Sequence, residues 1–158
     1  MATNPLEEML CFSLYAASRA VSQAYRAVLA ERDLTYPQFL VLVALEQAGE
    51  LSVHELGDLM YLDSGTLSPL LQRLERRGIV RRERRAGNER VVIVTLTDDG
   101  RALRAEVGSS VDCVIPAAYG IADRAELEGL LNQLHRVTTG MNAVTATLRT
   151  ATREATPA

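Results

Sequence analysis

A chain of 158 residues with 47% apolar content suits one domain with a real core, and its net charge of −3 argues, taken alone, against a nucleic-acid partner. No run of about 18 uncharged apolar residues is present, which excludes a membrane-spanning helix. Glu7 and Glu8 stand where a leader would carry positive charge, and two cysteines suit free thiols or redox chemistry better than a structural disulfide, so a cytoplasmic protein is expected.

From about Pro5 to Arg32 the apolar spacing is helical with no internal glycine or proline, predicting one long helix. Thr35-Tyr36-Pro37-Gln38 is a capping box flanked by Leu34 and Phe39 as a hydrophobic staple, opening a helix to about Gln47. Ser52-Val53-His54-Glu55 is a second box, opening a short helix to about Leu59. Asp63 caps a third helix that runs to Arg77 and stops at Gly78, with Pro69 removing one backbone bond and bending it slightly. Ile79–Arg84 and Arg90–Leu96 are β-branched runs around Ala86-Gly87-Asn88-Glu89, a hairpin signature. Thr97 caps a helix with Asp98 and Asp99 in its first turn, weakening near Pro116. Asp123-Arg124-Ala125-Glu126 is one more capping box, and the last helix should reach about Arg149, with fraying after Thr150. Neither an internal repeat nor a linker divides residues 1–158, so a single domain is expected.

Two helices joined by a tight turn and followed by a hairpin make a winged helix-turn-helix, whose second helix fits a DNA major groove and whose wing reaches phosphates or the minor groove. The expected class is therefore mainly α with a small β-hairpin wing, residues 34–97 forming the winged unit between long helices at about 5–32 and 98–150. The charge distribution agrees. All seventeen basic residues are arginine, and eight fall between Arg73 and Arg90 against three glutamates. Such a stripe is a phosphate-binding footprint, although a solvated charged hairpin would look the same. Ser64, Thr66, Ser68 and Gln72, placed here on one helix face, offer small polar groups for base edges and phosphates, with Asp63 at the helix start and Arg73, Arg76 and Arg77 further along. Arg84, Arg85 and Arg90 supply the wing. His54 and His135 are isolated, and no glycine-rich phosphate loop occurs, so neither metal nor cofactor is expected.

Cys11 lies in the apolar run Leu10–Tyr15, where a thiol is ordinarily inert packing. Three of the five tyrosines, Tyr15, Tyr25 and Tyr36, follow within twenty-five residues. Phenol hydroxyls donating to sulfur would favour the reactive thiolate. Tyr15 is spaced i, i+4 from Cys11 and shares its face. Tyr25 is fourteen residues on, which in a straight helix is about 21 Å away. A contact between Cys11 and Tyr25 then requires a second subunit.

The segments Leu10–Arg19, Leu34–Leu40 and Tyr61–Leu71, with Asn88-Glu89-Arg90 and Leu96–Gly100, resemble the MarR family of winged-helix regulators, and closely its OhrR-type organic hydroperoxide sensors. The resemblance covers roughly residues 6–149, and its cysteine and Thr-Tyr-Pro-Gln segments are the discriminating ones. It implies a homodimer joined through the first and last helices, bound to a pseudo-palindromic operator in double-stranded DNA. It places the peroxidatic cysteine at Cys11, its tyrosine partners at Tyr25 and Tyr36 with Tyr15 nearby, the recognition helix at 63–77 and the minor-groove arginine at Arg90. One departure is Asn88, where the family commonly has an aspartate bracing the wing. Cys113 is either a resolving thiol for an intersubunit disulfide or a buried small hydrophobe; without it, a low-molecular-weight thiol would resolve oxidised Cys11. The implied function is a redox-sensing repressor, not an enzyme, released from its operator when an organic hydroperoxide oxidises Cys11. Two other readings stay open: a MarR-type repressor released by a small aromatic ligand with incidental cysteines, and a thiol peroxidase, which would leave the recognition helix and basic hairpin unexplained.

Overall fold

The computed structural model describes residues 5–85, 87–121 and 123–154, with the side chains at 89, 110, 112–118, 149 and 151–154 outside that description. The chain divides into two compact units, Met1–Ile115 and Pro116–Ala158. In order, the elements are α1 (Leu10–Leu29), a 3-10 turn (Ala30–Arg32), α2 (Tyr36–Ala48), β1 (Glu50–Ser52), α3 (Val53–Met60), α4 (Ser64–Arg76), β2 (Val80–Arg85), β3 (Asn88–Leu96), α5 (Asp98–Ala118) and α6 (Arg124–Glu154).

The helix starts follow from short-range hydrogen bonds. At α2 the Thr35 N–H donates to Gln38 Oε1 (2.9 Å) while the Thr35 hydroxyl oxygen accepts from the Gln38 N–H (3.4 Å). At α3 the same reciprocal pair joins Ser52 and Glu55, at 2.7 and 3.1 Å. Asp63 accepts from the Thr66 N–H (2.9 Å), Thr97 from Gly100 (3.0 Å) and Asp123 from Glu126 (2.9 Å). Each satisfies a donor that an uncapped helix would leave unpaired.

The ends differ from expectation in three places. α1 begins at Leu10 rather than Pro5, because the backbone is extended at Met9 (φ −94°, ψ 119°), after a Leu6–Met9 turn. It closes in a 3-10 turn before Asp33, which is left-handed at φ 49°. At the other end, α6 continues past Thr150 to Glu154, there being no glycine or proline in that stretch to stop it. α4 runs unbroken through Pro69.

The third strand, β1, has no counterpart among the expected elements. It pairs antiparallel with β3 (Glu50 opposite Thr95, Ser52 opposite Ile93), giving a three-stranded sheet in the order β1-β3-β2. The hairpin register runs from Val80 opposite Leu96 to Arg84 opposite Val92, with a bulge between Arg84 and Arg85.

Leu56 of α3 and Leu67, Leu71 and Leu74 of α4 are buried with Val41, Leu42 and Leu45 of α2 and with Val80, Val94 and Leu96 of the hairpin. Each such leucine contributes about 1.5–3 kcal/mol through burial. Between α3 and α4 the chain turns at Tyr61, left-handed at φ 54°, where the Leu62 N–H donates to the Gly57 carbonyl (2.9 Å). A Cβ at Gly57 would stand 2.9 Å from the Leu62 carbonyl oxygen, so glycine permits this turn. The second unit consists chiefly of α6, whose Leu127, Leu130, Leu134, Val137, Met141, Val144 and Leu148 recur at alternating three- and four-residue steps. Most are exposed, Met141 by 60% and Leu148 by 63%. No helix among the described residues is long and apolar enough to cross a membrane.

Candidate nucleic-acid interface and thiol site

The buried stripe of α4 (Leu67, Leu71, Leu74) fixes which residues point away from the core. At 100° per residue the outward crest is Gly65, Pro69, Gln72 and Arg76, all exposed. The polar residues expected on one face therefore divide. Ser64 and Ser68 line a cavity of about 520 Å³ shared with α3 and the wing, beside His54, Asp58, Arg82 and Arg90. Thr66 and Arg73 line a cavity of about 300 Å³ on the opposite flank, with Thr35 and Gln38 from the start of α2. Asp63 is the helix cap: bonds from the Thr66 N–H and hydroxyl hold its carboxyl below the ordinary aspartate value.

Folding gives several arginines of the basic stripe partners within the chain. Arg77 donates to the carbonyl oxygens of Asp33 (2.5 Å) and Arg32 (2.8 Å), so its fork is turned to the chain's own backbone. Arg82 donates from Nε and Nη2 to Glu75, at 2.9 and 2.5 Å, tying β2 to α4. That bond holds the Glu75 carboxyl below the usual glutamate range. Arg81 pairs with Glu83, and Arg85 with Glu50 of β1 at 3.6 Å. Arg84 is exposed on β2. Arg73, Arg76 and Arg90 are exposed, Arg76 bonding the Gln72 carbonyl of its own helix at 3.3 Å. In the wing the Asn88 side-chain oxygen accepts from the Arg90 N–H (3.3 Å), so the asparagine that departs from the family's common aspartate still bonds within the wing. The His54 ring lies 3.5 Å from Asp58 on the exposed surface of α3. Among the described residues no cluster could hold a metal ion.

Two positions of this surface escaped the sequence reading. Pro69 looks like a helix defect in one dimension, yet it stands on the crest of α4. Arg82 is one arginine among many in sequence, and its pairing with Glu75, seven residues back, was the available signal.

The thiol site is split within one chain. Cys11 is free and exposed near the start of α1, with exposed Met9 and Leu10 beside it in the sequence. Tyr15, one turn on, is exposed; its hydroxyl accepts from Arg19 (3.2 Å), and its ring lies 6.4 Å from that of Phe12. Tyr25 is buried instead, its ring centroid 4.3 Å from Tyr36 and 5.8 Å from Phe39. Arg104 of α5 stands 5.3 Å over the Phe39 ring and 3.0 Å from Glu46. Since α1 is continuous from Leu10 to Leu29, the fourteen residues from Cys11 to Tyr25 span about 21 Å. The fold brings Tyr25 and Tyr36 together and keeps Cys11 apart from Tyr25. Cys113 lies on α5, and its side chain falls outside the described residues.

Comparison with known proteins follows the same two themes. A model of the MarR family matches residues 34–92, the stretch from the start of α2 into β3. The HTH-type transcriptional regulator TtmR of Methylorubrum extorquens is 46% identical over 131 residues, covering 82% of this chain, which itself spans 65% of TtmR. The organic hydroperoxide resistance transcriptional regulator of Bacillus subtilis is 44% identical over 99 residues, 63% of this chain and 67% of that one. Among solved structures, reduced AbfR bound to DNA superposes with a TM-score of 0.75 at 33% identity, covering 86% of this chain and 94% of the other.

Proposed function

This chain belongs to the MarR family of winged-helix transcriptional regulators, and on that premise we propose that it is a redox-sensing repressor in which oxidation of Cys11 by an organic hydroperoxide releases operator DNA. The observation that carries this reading is the free, exposed Cys11 at one end of a helix whose other end is pinned by the Tyr25–Tyr36 pair. Similarity to a hydroperoxide-resistance regulator and to a DNA-bound neighbour supports both halves.

The Cys11 thiolate attacks one peroxide oxygen; the O–O bond breaks, the sulfur is oxidised to sulfenic acid and the organic group leaves as an alcohol after taking up a proton. A second thiol then condenses with the sulfenic acid, forming a disulfide and water. That thiol is Cys113 of a second copy or a low-molecular-weight thiol. The apolar residues that flank Cys11 in the sequence, Leu10 and Phe12, suit an organic hydroperoxide better than hydrogen peroxide.

A homodimer completes the site, because only a second chain can bring a Tyr25–Tyr36 pair to Cys11 across about 21 Å. The alternating three- and four-residue apolar seam of α6 suits the contact between copies. Outward-facing Gln72 and Arg76 of α4 enter the major groove, and Arg90 of the wing reaches the minor groove. Two half-sites then lie about one helical turn apart, so displacing the dimer helices takes the two α4 helices out of register.

The test is an operator gel shift titrated with cumene hydroperoxide, wild type beside Cys11→Ser. Release of the wild type only is the expected result; equal release of the variant sinks the mechanism. A second reading is favoured by the wing-side cavity, where Leu62, Leu67 and Val92 meet Arg90: a small aromatic acid would fit there. Release by such an acid, undiminished in Cys11→Ser, would select it.

A further inference from the structure

Arg77 belongs to the arginine stripe by sequence and to the framework by geometry. It is the residue at which α4 ends, and its guanidinium reaches two consecutive carbonyl groups forty-four and forty-five residues earlier, those of Asp33 and Arg32. The Asp33 carboxylate lies 4.0 Å away as well. These carbonyls close the 3-10 turn that terminates α1, the negative end of that helix, where acceptors lack helical partners. The left-handed Asp33 turns the chain there, and only about a third of the Arg77 side chain is exposed. Arg32 in turn sends its own side chain to Glu106 of α5, at 2.5 Å. The ends of α1 and α4 and the middle of α5 are thus joined in one line.

The physical content lies in direction. Leu67, Leu71 and Leu74 set which face of α4 is buried, but apolar burial is non-directional and fixes the fine rotation about the helix axis less tightly than a hydrogen bond does. A planar fork on two carbonyls fixes distance and angle together. A small rotation of α4 would carry Gln72 and Arg76, on its crest, away from base edges. The other end of the same strut is the close of the 3-10 turn that follows α1, at Arg32 and Asp33, seven and eight residues beyond Tyr25.

We propose that Arg77 is a positioning residue rather than a DNA contact: it sets the rotation of the recognition helix against the end of α1, and through it a displacement of α1 reaches α4. The second half rests on the redox reading above; the first does not.

The experiment uses full-length protein and a duplex selected by the wild type from a random pool, with binding measured across a salt series at a temperature where every variant is folded. Arg77→Gln should weaken binding about tenfold while leaving the slope of log affinity against log salt at its wild-type value. Arg77→Lys should recover only part of that loss, since an ammonium cannot span both carbonyls. Glu106→Gln, remote from DNA, should weaken binding by a smaller factor, again without a change in slope. Arg90→Gln is the contrast, lowering the slope by about 0.9 for each phosphate contact removed. A lowered slope in Arg77→Gln, full recovery in Arg77→Lys or wild-type affinity in Arg77→Gln would each overturn the positioning role. In a second arm, cumene hydroperoxide should reduce the affinity of Arg77→Gln by a smaller factor than that of the wild type. Equal factors overturn the transmission half. A wild type that hydroperoxide does not release defeats the redox reading and the transmission half, while the positioning role still stands or falls on the salt series.

Discussion

Gly100 shows how tightly a single position can be specified. A Cβ there would stand 2.1 Å from the Ile79 carbonyl oxygen, at the place where the Thr97 hydroxyl and N–H also bond the base of β2. Backbone has nowhere to give, so Gly100→Ala should cost about 3 kcal/mol or more, at the upper end of overpacking effects, read as a lowered urea midpoint. The Glu75–Arg82 bond has a pH signature. Because Arg82 holds the folded-state carboxyl below its ordinary value, the bond's contribution is present above the usual glutamate range and disappears as pH falls through the lowered value. The stability difference between wild type and Glu75→Gln should therefore be largest near neutrality and shrink below about pH 4, measured by urea unfolding across pH. A difference that grows on acidification would contradict the pairing. Asn88 teaches the complementary lesson: a neutral side chain serves the wing turn through one bond to the Arg90 N–H.

At the scale of elements, the best-read features were the capped helix starts, since a capping box is written in four consecutive residues; the uncapped start of α1 was misplaced. Ser52→Ala should lower stability by about 1 kcal/mol, with a matching loss of thermal midpoint, because α3 is only eight residues long and depends on its cap. β1 was unreadable for the opposite reason. Its three residues form a strand only because β3, more than forty residues on, offers an open edge. The division of the α4 polar residues between two flanks was likewise invisible until Leu67, Leu71 and Leu74 fixed which way the helix faces. The composition of the basic stripe was legible from the sequence, but its pairing within the chain was not: Arg77 bonds the Asp33 carbonyl, Arg82 the Glu75 carboxylate and Arg85 lies near Glu50, while Arg73, Arg76 and Arg90 are exposed.

For the whole molecule, the question is what covers the apolar seam of α6. Its exposed Leu130, Met141, Val144 and Leu148 would be costly in water, and a second copy presents an identical seam. On the homodimer proposed above, Met141→Glu combined with Leu130→Glu should shift the protein toward monomer in light scattering and abolish high-affinity operator binding, since two half-sites need two linked reading heads. A double variant that remains dimeric would place the contact elsewhere. The redox reading depends on the same contact, because one chain holds Cys11 apart from the Tyr25–Tyr36 pair.

What the sequence determined by itself was whatever is decided within a few residues: the capped helices, the hairpin and the family resemblance. Hydrogen bonds from i to i+3 and side-chain periodicity are local, so they survive being read in one dimension. The tertiary structure alone decided direction and partnership. It turned Arg77 back onto Arg32 and Asp33, sank Tyr25 against Tyr36 and Phe39, left Cys11 exposed and recruited Glu50–Ser52 into the sheet. Each of these except the exposure of Cys11 joins residues at least eleven apart in the chain, and such pairs meet only once the core has fixed how its helices face one another.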